Sequence, residues 1–201
     1  MTIRNLLFLV FIAVFVWQCR SDETVSLGAG VKVDQAPQQV LVNDADSFEF
    51  NDYLITPLAD FSLQAKVLSR EDYFLDRESD LAPTDLALGW QQMSDEAVLS
   101  QIDITQSGRW YHWRVEDFPI PRRAIETQSA NMHMIPADDH MAAMLDLIKP
   151  GQLISLQGQL VRAESVDGWR WQSSLSREDT GARACELIYV TSLEIVSPRE
   201  L

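Results

Sequence analysis

The sequence predicts one α+β domain, a small antiparallel sheet curled on itself with one or two short helices against it. Three observations carry the expectation. About fifty residues at the C-terminal end alternate in polarity as strands do, and a glycine interrupts the first of those runs just before an Asp-Gly turn, as a sharply bent strand requires. Near residue 140 a single apolar stripe at helical spacing marks one amphipathic helix.

Taken in order, the chain divides into an N-terminal signal anchor at 1–19, a flexible tether at 20–47 and a globular domain at 48–201. Leu6 to Trp17 is uninterrupted apolar sequence behind Met1-Thr-Ile-Arg4-Asn5. Counted from Ile3 to Cys19, with Arg4 snorkelling, it just reaches the about 17 residues that mark the lower limit for a helix crossing a bilayer. No small residues stand where signal peptidase would cut. Cys19 is a candidate lipid-attachment residue, but Trp17 and Gln18 occupy the two positions that a lipobox fills with small residues, so retention as an anchor is the expectation. The body then lies outside the cytoplasm, most simply on the periplasmic side of an inner membrane. Arg20 to Asp46 has no aromatic residue and no sustained periodicity, and reads as a tether of roughly 30 Å root-mean-square span.

Within the domain, Phe61, Leu63, Ala65 and Val67 alternate as a half-buried strand, and Ser69 to Tyr73 reads as a turn or short helix. Ala82 to Trp90, framed by Pro83 and Gly89, reads as a loop folded onto the core, and Ser94 before Asp95 and Glu96 as an N-cap for a helix running to about Gln101. Arg109 to Val115 has strand composition, with Trp110, His112 and Arg114 on one face and Arg109, Tyr111 and Trp113 on the other. Pro119 and Pro121 open an irregular piece that ends at Pro136. The helix starts near Asp138, buries Met141, Met144, Leu145 and Ile148, and stops at Pro150-Gly151. The strands at 153–162, 169–171 and 185–196 complete a sheet of the kind found in small barrels of oligonucleotide/oligosaccharide-binding type.

The phrases PTDLALGWQQMSD, RWYHW, SANMHMIPA and SREDTGARACELIYV resemble those of an uncharacterised family of bacterial membrane-anchored envelope proteins over about residues 52 to 196. The resemblance implies the anchor and attaches no activity, ligand or catalytic residue.

Charge excludes one class of partner. All 30 acidic residues and 15 of the 16 basic ones follow Cys19, leaving that part of the chain at a formal −15, which repels a polyanion at long range. Nucleic acid is therefore not expected, and the envisaged partners are an envelope protein or glycan. With Cys19 in or beside the membrane and Cys185 in the body, no disulfide joins parts of the domain, so the fold must stand on its core.

Trp110 and Trp113 flanked by Arg109 and Arg114 are the candidate ligand-binding residues, since aromatic faces beside guanidinium groups stack on sugars or clamp an extended peptide. A non-enzymatic binding or structural role is the primary expectation; the alternative is an envelope hydrolase or transpeptidase using His133 with Asp85 or Cys185. The layout of anchor, β-rich body, His and late Cys resembles sortase transpeptidases, but Ala184 precedes Cys185 where those enzymes carry Thr, and the nearest later Arg is Arg199. Cys185 beside Leu187, Ile188 and Val190 reads as a small buried hydrophobe, slow to label. His133, Asp138, Asp139 and His140 lack metal-ligand spacing, and the two aspartates suit a helix start, so neither metal nor cofactor is expected. One geometric observable separates the classes. His133 lining an open cleft within hydrogen-bond reach of Asp85 or Cys185 favours chemistry; His133 buried against backbone removes it.

Overall fold

The computed structural model describes residues 24–176 and 185–198. The fold is mixed α+β, mostly strands, with three short helices among the described residues. In chain order the strands are β1 (Gln38–Leu41), β2 (Phe48–Phe50), β3 (Tyr53–Asp72), β4 (Thr84–Gly89), β5 (Asp103–Ser107), β6 (Trp110–Arg114), β7 (Ser129–Pro136), β8 (Leu153–Ser165), β9 (Arg170–Gln172) and β10 (Glu186–Val196). The helices are α1 (Glu96–Leu99), α2 (Arg122–Thr127) and α3 (Asp139–Asp146).

Five strands pair in a path that returns to its start. β3 pairs with β4, β4 with β7, β7 with β10, β10 with β8, and β8 with β3 again; all are antiparallel except β7–β10. One strand can serve both ends of the path because β3 is 20 residues long and is bent by irregularities at Pro57/Ala59 and Val67/Ser69. Its first part, Tyr53 to Lys66, lies along β8, and its last part, Lys66 to Asp72, along β4. At Gly158 the β10 backbone leaves no room for a side chain: a Cβ there would meet the Tyr189 carbonyl oxygen at 2.2 Å, next to the register shift between Val190 and Ser192.

Alternate residues of all five strands meet in one apolar cluster that includes Phe61, Leu63, Leu86, Leu88, Met132, Met134, Leu156, Leu160, Ile188 and Val190. Helix α3 joins it through Met141 and Leu145, with Ile148 just beyond, the stripe read from the sequence. Each such side chain contributes about 1.5–3 kcal/mol on burial. Asp138 caps the helix, its carboxylate accepting from the Met141 N–H at 2.8 Å, which is the capping role read for it.

The opposite faces of four of these strands, β3, β7, β8 and β10, carry a second cluster, Ile55, Ile135, Val161, Ala163 and Leu187, packed with Leu81, Ala82, Phe48, Phe50, Trp169 and Trp171. Residues 90–128, inserted between β4 and β7, have a small core of their own around Met93, Ile102, Ile120 and Ile125, from which the β5–β6 hairpin projects.

Three segments differ from the sequence reading. Ala82–Trp90 contains a wholly buried strand, β4, because Pro83 and Gly89 stand at its ends rather than inside it. Ser69 to Asp72 continues β3 in place of a turn, and the piece after Pro121 holds α2 and β7. The cap of α1 is Asp95, accepting from the Ala97 N–H at 2.8 Å; the Ser94 hydroxyl instead accepts from the N–H groups of Lys32 and Val33 at 3.0 Å each.

That last contact belongs to a strap. Residues 24–33, within the stretch read as a tether, lie against the body: the Val25 N–H donates to the Pro150 carbonyl at 2.8 Å and the Gly30 N–H to Asp95 at 2.8 Å. The Glu96 carboxylate accepts from the Ser26 hydroxyl and the N–H groups of Leu27 and Gly28 at 2.6 to 2.8 Å, and pairs with Lys66 at 2.8 Å. Further on, β1 pairs with β3. The segment 1–19 with Cys19 lies outside the described residues, among which no helix is long and apolar enough to cross a membrane.

Candidate functional site

An aspartate inside a strand needs compensation when both faces of that strand are covered. Asp85 on β4 is 0% exposed and finds it from three directions. Its Cα partner on β7 is His133, and the His133 Nδ1 lies 2.8 Å from Asp85 Oδ1. Arg109 Nη1 donates to the same oxygen at 2.9 Å, and Asn131 Nδ2 to the other at 3.3 Å.

Arg109 arrives there by a turn. The β5–β6 hairpin closes through Gly108 (φ 56°) and Arg109 (φ 69°), the paired left-handed residues of a tight two-residue loop, and this aims the Arg109 side chain at the sheet. Its guanidinium grips Asp76 through Nε (3.0 Å) and Nη2 (2.8 Å), donates to the Ala82 carbonyl at 2.7 Å, and lies 3.8 Å from the centre of the Tyr73 ring. Burial works against the Arg109 charge; Asp76 and Asp85 outweigh it and raise its pKa, while the Arg109 hydrogen bond holds the Asp76 carboxyl below its usual range. The arrangement pins the hairpin, the β3–β4 loop and β4 together.

A carboxylate only accepts, so Nδ1 of His133 carries the proton of that contact, and in the neutral imidazole Nε2 is the lone-pair nitrogen. The described residues give Nε2 no hydrogen bond. The ring packs 4.7 Å from Trp171 and, though only 3% exposed, forms part of the floor of an open cleft of about 910 Å³. The walls come from Glu78 on the β3–β4 loop, from Arg109 and Trp110 on the hairpin, and from residues 170–176 with Cys185 between β8 and β10.

Four residues were expected to bind ligand, and two of them line the cleft. Trp110, 43% exposed, presents its indole there; Arg109 lines it too, but its guanidinium is engaged with the two aspartates. Trp113 packs instead on the core of the insertion, against Phe118 at 6.1 Å and under Arg122, and Arg114 lies at the far end of the hairpin opposite Asp103. The alternative set is brought together: Asp85 bonds to His133, and Cys185 opens into the same cleft, half-buried rather than locked in the core as its apolar neighbours suggested. No group of three or more potential ligands able to hold a metal occurs among the described residues.

Sequence reasoning missed Asp76, Asn131 and, apart from the aromatic Trp171, the wall at 170–176. Asn131 had a legible signal. Met132 and Met134 alternate with Asn131, His133 and Ile135, a strand pattern that the neighbouring prolines obscured.

No protein-family model, no curated protein and no solved structure matches this chain.

Proposed function

We propose that the protein is a membrane-tethered, extracytoplasmic domain built on an OB-like barrel, which binds a glycan or an extended segment of an envelope protein in the cleft beside Trp110. The position of the cleft is the observation that carries this reading. Numbering the ring strands by chain order, the cleft is floored by His133 on the third, β7, and lies between the loop joining the first two and the connection between the last two. Five-stranded Greek-key barrels of that type take oligosaccharides and oligonucleotides at this place. The ring order supports the same reading, as does a helix, α3, between the third and fourth ring strands. A formal charge of −14 speaks against nucleic acid and for a neutral glycan or a peptide.

Trp110 is the stacking platform. Trp171 is already wedged between His133 and Trp169, at 4.7 and 6.1 Å. Titration with soluble cell-wall oligosaccharides and with extended peptides, followed by tryptophan fluorescence, is expected to give saturable binding that Trp110→Ala weakens about tenfold, the worth of one aromatic stack. Unchanged affinity in that variant refutes the site.

The tether rests on the apolar segment before Cys19, and placement has its own test. In fractionated cells the chain is expected with the membranes, at its full length by mass, and to stay there in high salt. Recovery as a soluble periplasmic protein cleaved near Val31 refutes the anchor.

A further inference from the structure

We propose that the cleft carries a reactive thiol: Cys185 is the nucleophile, His133 takes its proton, Asp85 positions the imidazole, and the group transferred is the acyl part of an ester or amide in the bound ligand. The inference rests on the cleft being the ligand site, and it adds chemistry to binding.

Asp85 on β4 pairs with His133 on β7, and His133 pairs with Leu187 on β10, so one row of neighbours crosses three strands. Paired residues stand on the same face of a sheet. Cys185 precedes Leu187 by two positions, at the mouth of β10, and opens into the cleft that His133 floors. Cys185 is half-buried and lines the cleft, where a core cysteine would be enclosed on all sides.

The proton path is set by the other side of the imidazole. Asp85 holds Nδ1–H at 2.8 Å and so leaves Nε2 as the acceptor on the cleft side. Arg109 on the same carboxylate oxygen, at 2.9 Å, opposes transfer of that proton to Asp85, which keeps the carboxylate a positioning group. Asp85, itself held by Arg109 and Asn131, thereby fixes the orientation of the imidazole in the cleft floor.

The chemistry balances without a cofactor. The thiol proton passes to His133 Nε2 and Sγ forms a bond to the acyl carbon. The C–O or C–N bond then breaks, and the departing alcohol or amine takes the proton from His133. Water next adds to the thioester, giving its proton to the same nitrogen, and the carboxylic acid leaves as the thiol is restored.

The test uses the full chain and reads Cys185 separately from Cys19 by peptide mass. Iodoacetamide at neutral pH is expected to alkylate Cys185 at least tenfold faster in the native protein than in the same chain unfolded in urea, where the thiol is ordinary. His133→Gln removes the excess, and p-nitrophenyl acetate leaves an acetyl thioester on Cys185 of the unmodified protein only. Native labelling no faster than unfolded labelling overturns the inference, as does fast labelling that survives His133→Gln, which would report exposure without activation. If His133→Gln does not fold by circular dichroism, the native-to-unfolded ratio and the acetyl adduct decide alone. An inert Cys185 in a protein whose ligand binding still depends on Trp110 removes this inference and leaves the binding site standing. A reactive Cys185 that no oligosaccharide or peptide protects does the reverse.

Discussion

Arg109→Met is expected to lower the unfolding free energy by about 3–5 kcal/mol, read from urea unfolding followed by tryptophan fluorescence. The cost comes from what is left behind. Asp85, 0% exposed, would keep only His133 and Asn131 as partners, a buried carboxylate with its cation removed. The hairpin would also lose its hold on Asp76 and the Ala82 carbonyl. Attraction between Arg109 and Asp85 is a smaller part of the number, because each ion also gave up water to be there. The double variant Arg109→Met/Asp85→Asn is therefore expected to be more stable than Arg109→Met alone. If the two losses simply add, the buried charge is not the cause.

Glu96→Ala carries the second large effect, about 3 kcal/mol, through the same physics at another place. Lys66 is 3% exposed and would keep only the Gly151 carbonyl, 2.9 Å from its Nζ. The strap would lose three of its hydrogen bonds at once, so amide exchange at Leu27 and Gly28 should accelerate ahead of global unfolding. Partial burial disfavours the Glu96 charge, but Lys66, the Leu27 N–H and the Ser26 hydroxyl outweigh it and hold the carboxyl at about 2 against 4.5 unfolded. A carboxyl lowered in the folded state stabilises it fully above the unfolded value and loses that contribution as pH falls through the folded one. Exchange at Leu27 and Gly28 should thus be pH-independent in free-energy terms above about 4.5 and lose protection toward 2. Lys66→Met, which removes the buried cation along with its need for a partner, is expected to be far milder than Glu96→Ala.

The two sites show why some of this protein is legible in its sequence and some is not. Alternation in β3 and β8 and the α3 stripe report burial directly, because a residue's face follows from its position within one element. Capping by Asp138 is equally local. Asp85, His133 and Cys185 were nameable as a set, since their chemistry is intrinsic to their residue types, but nothing local ranked that set above the other acidic residues or above a buried thiol. Arg109 illustrates the converse. Its neighbours Trp110 and Tyr111 suggested a strand residue facing a ligand, whereas a left-handed turn at Gly108-Arg109 swings it onto two aspartates 24 and 33 positions away.

What the sequence determined by itself is therefore everything that neighbours within an element settle: the α+β class, the bent β-rich C-terminal part, one amphipathic helix and a charge hostile to polyanions. Only the tertiary structure decided that β4 is a buried central strand, that β3 closes the ring by pairing at both ends, and that His133, bonded to Asp85, and Cys185 line one cleft. Those facts depend on register between strands far apart in the chain. Shifting one strand by a single residue would turn Asp85 or His133 to the other face, and no local preference fixes that register; the fit of every strand to its two neighbours does.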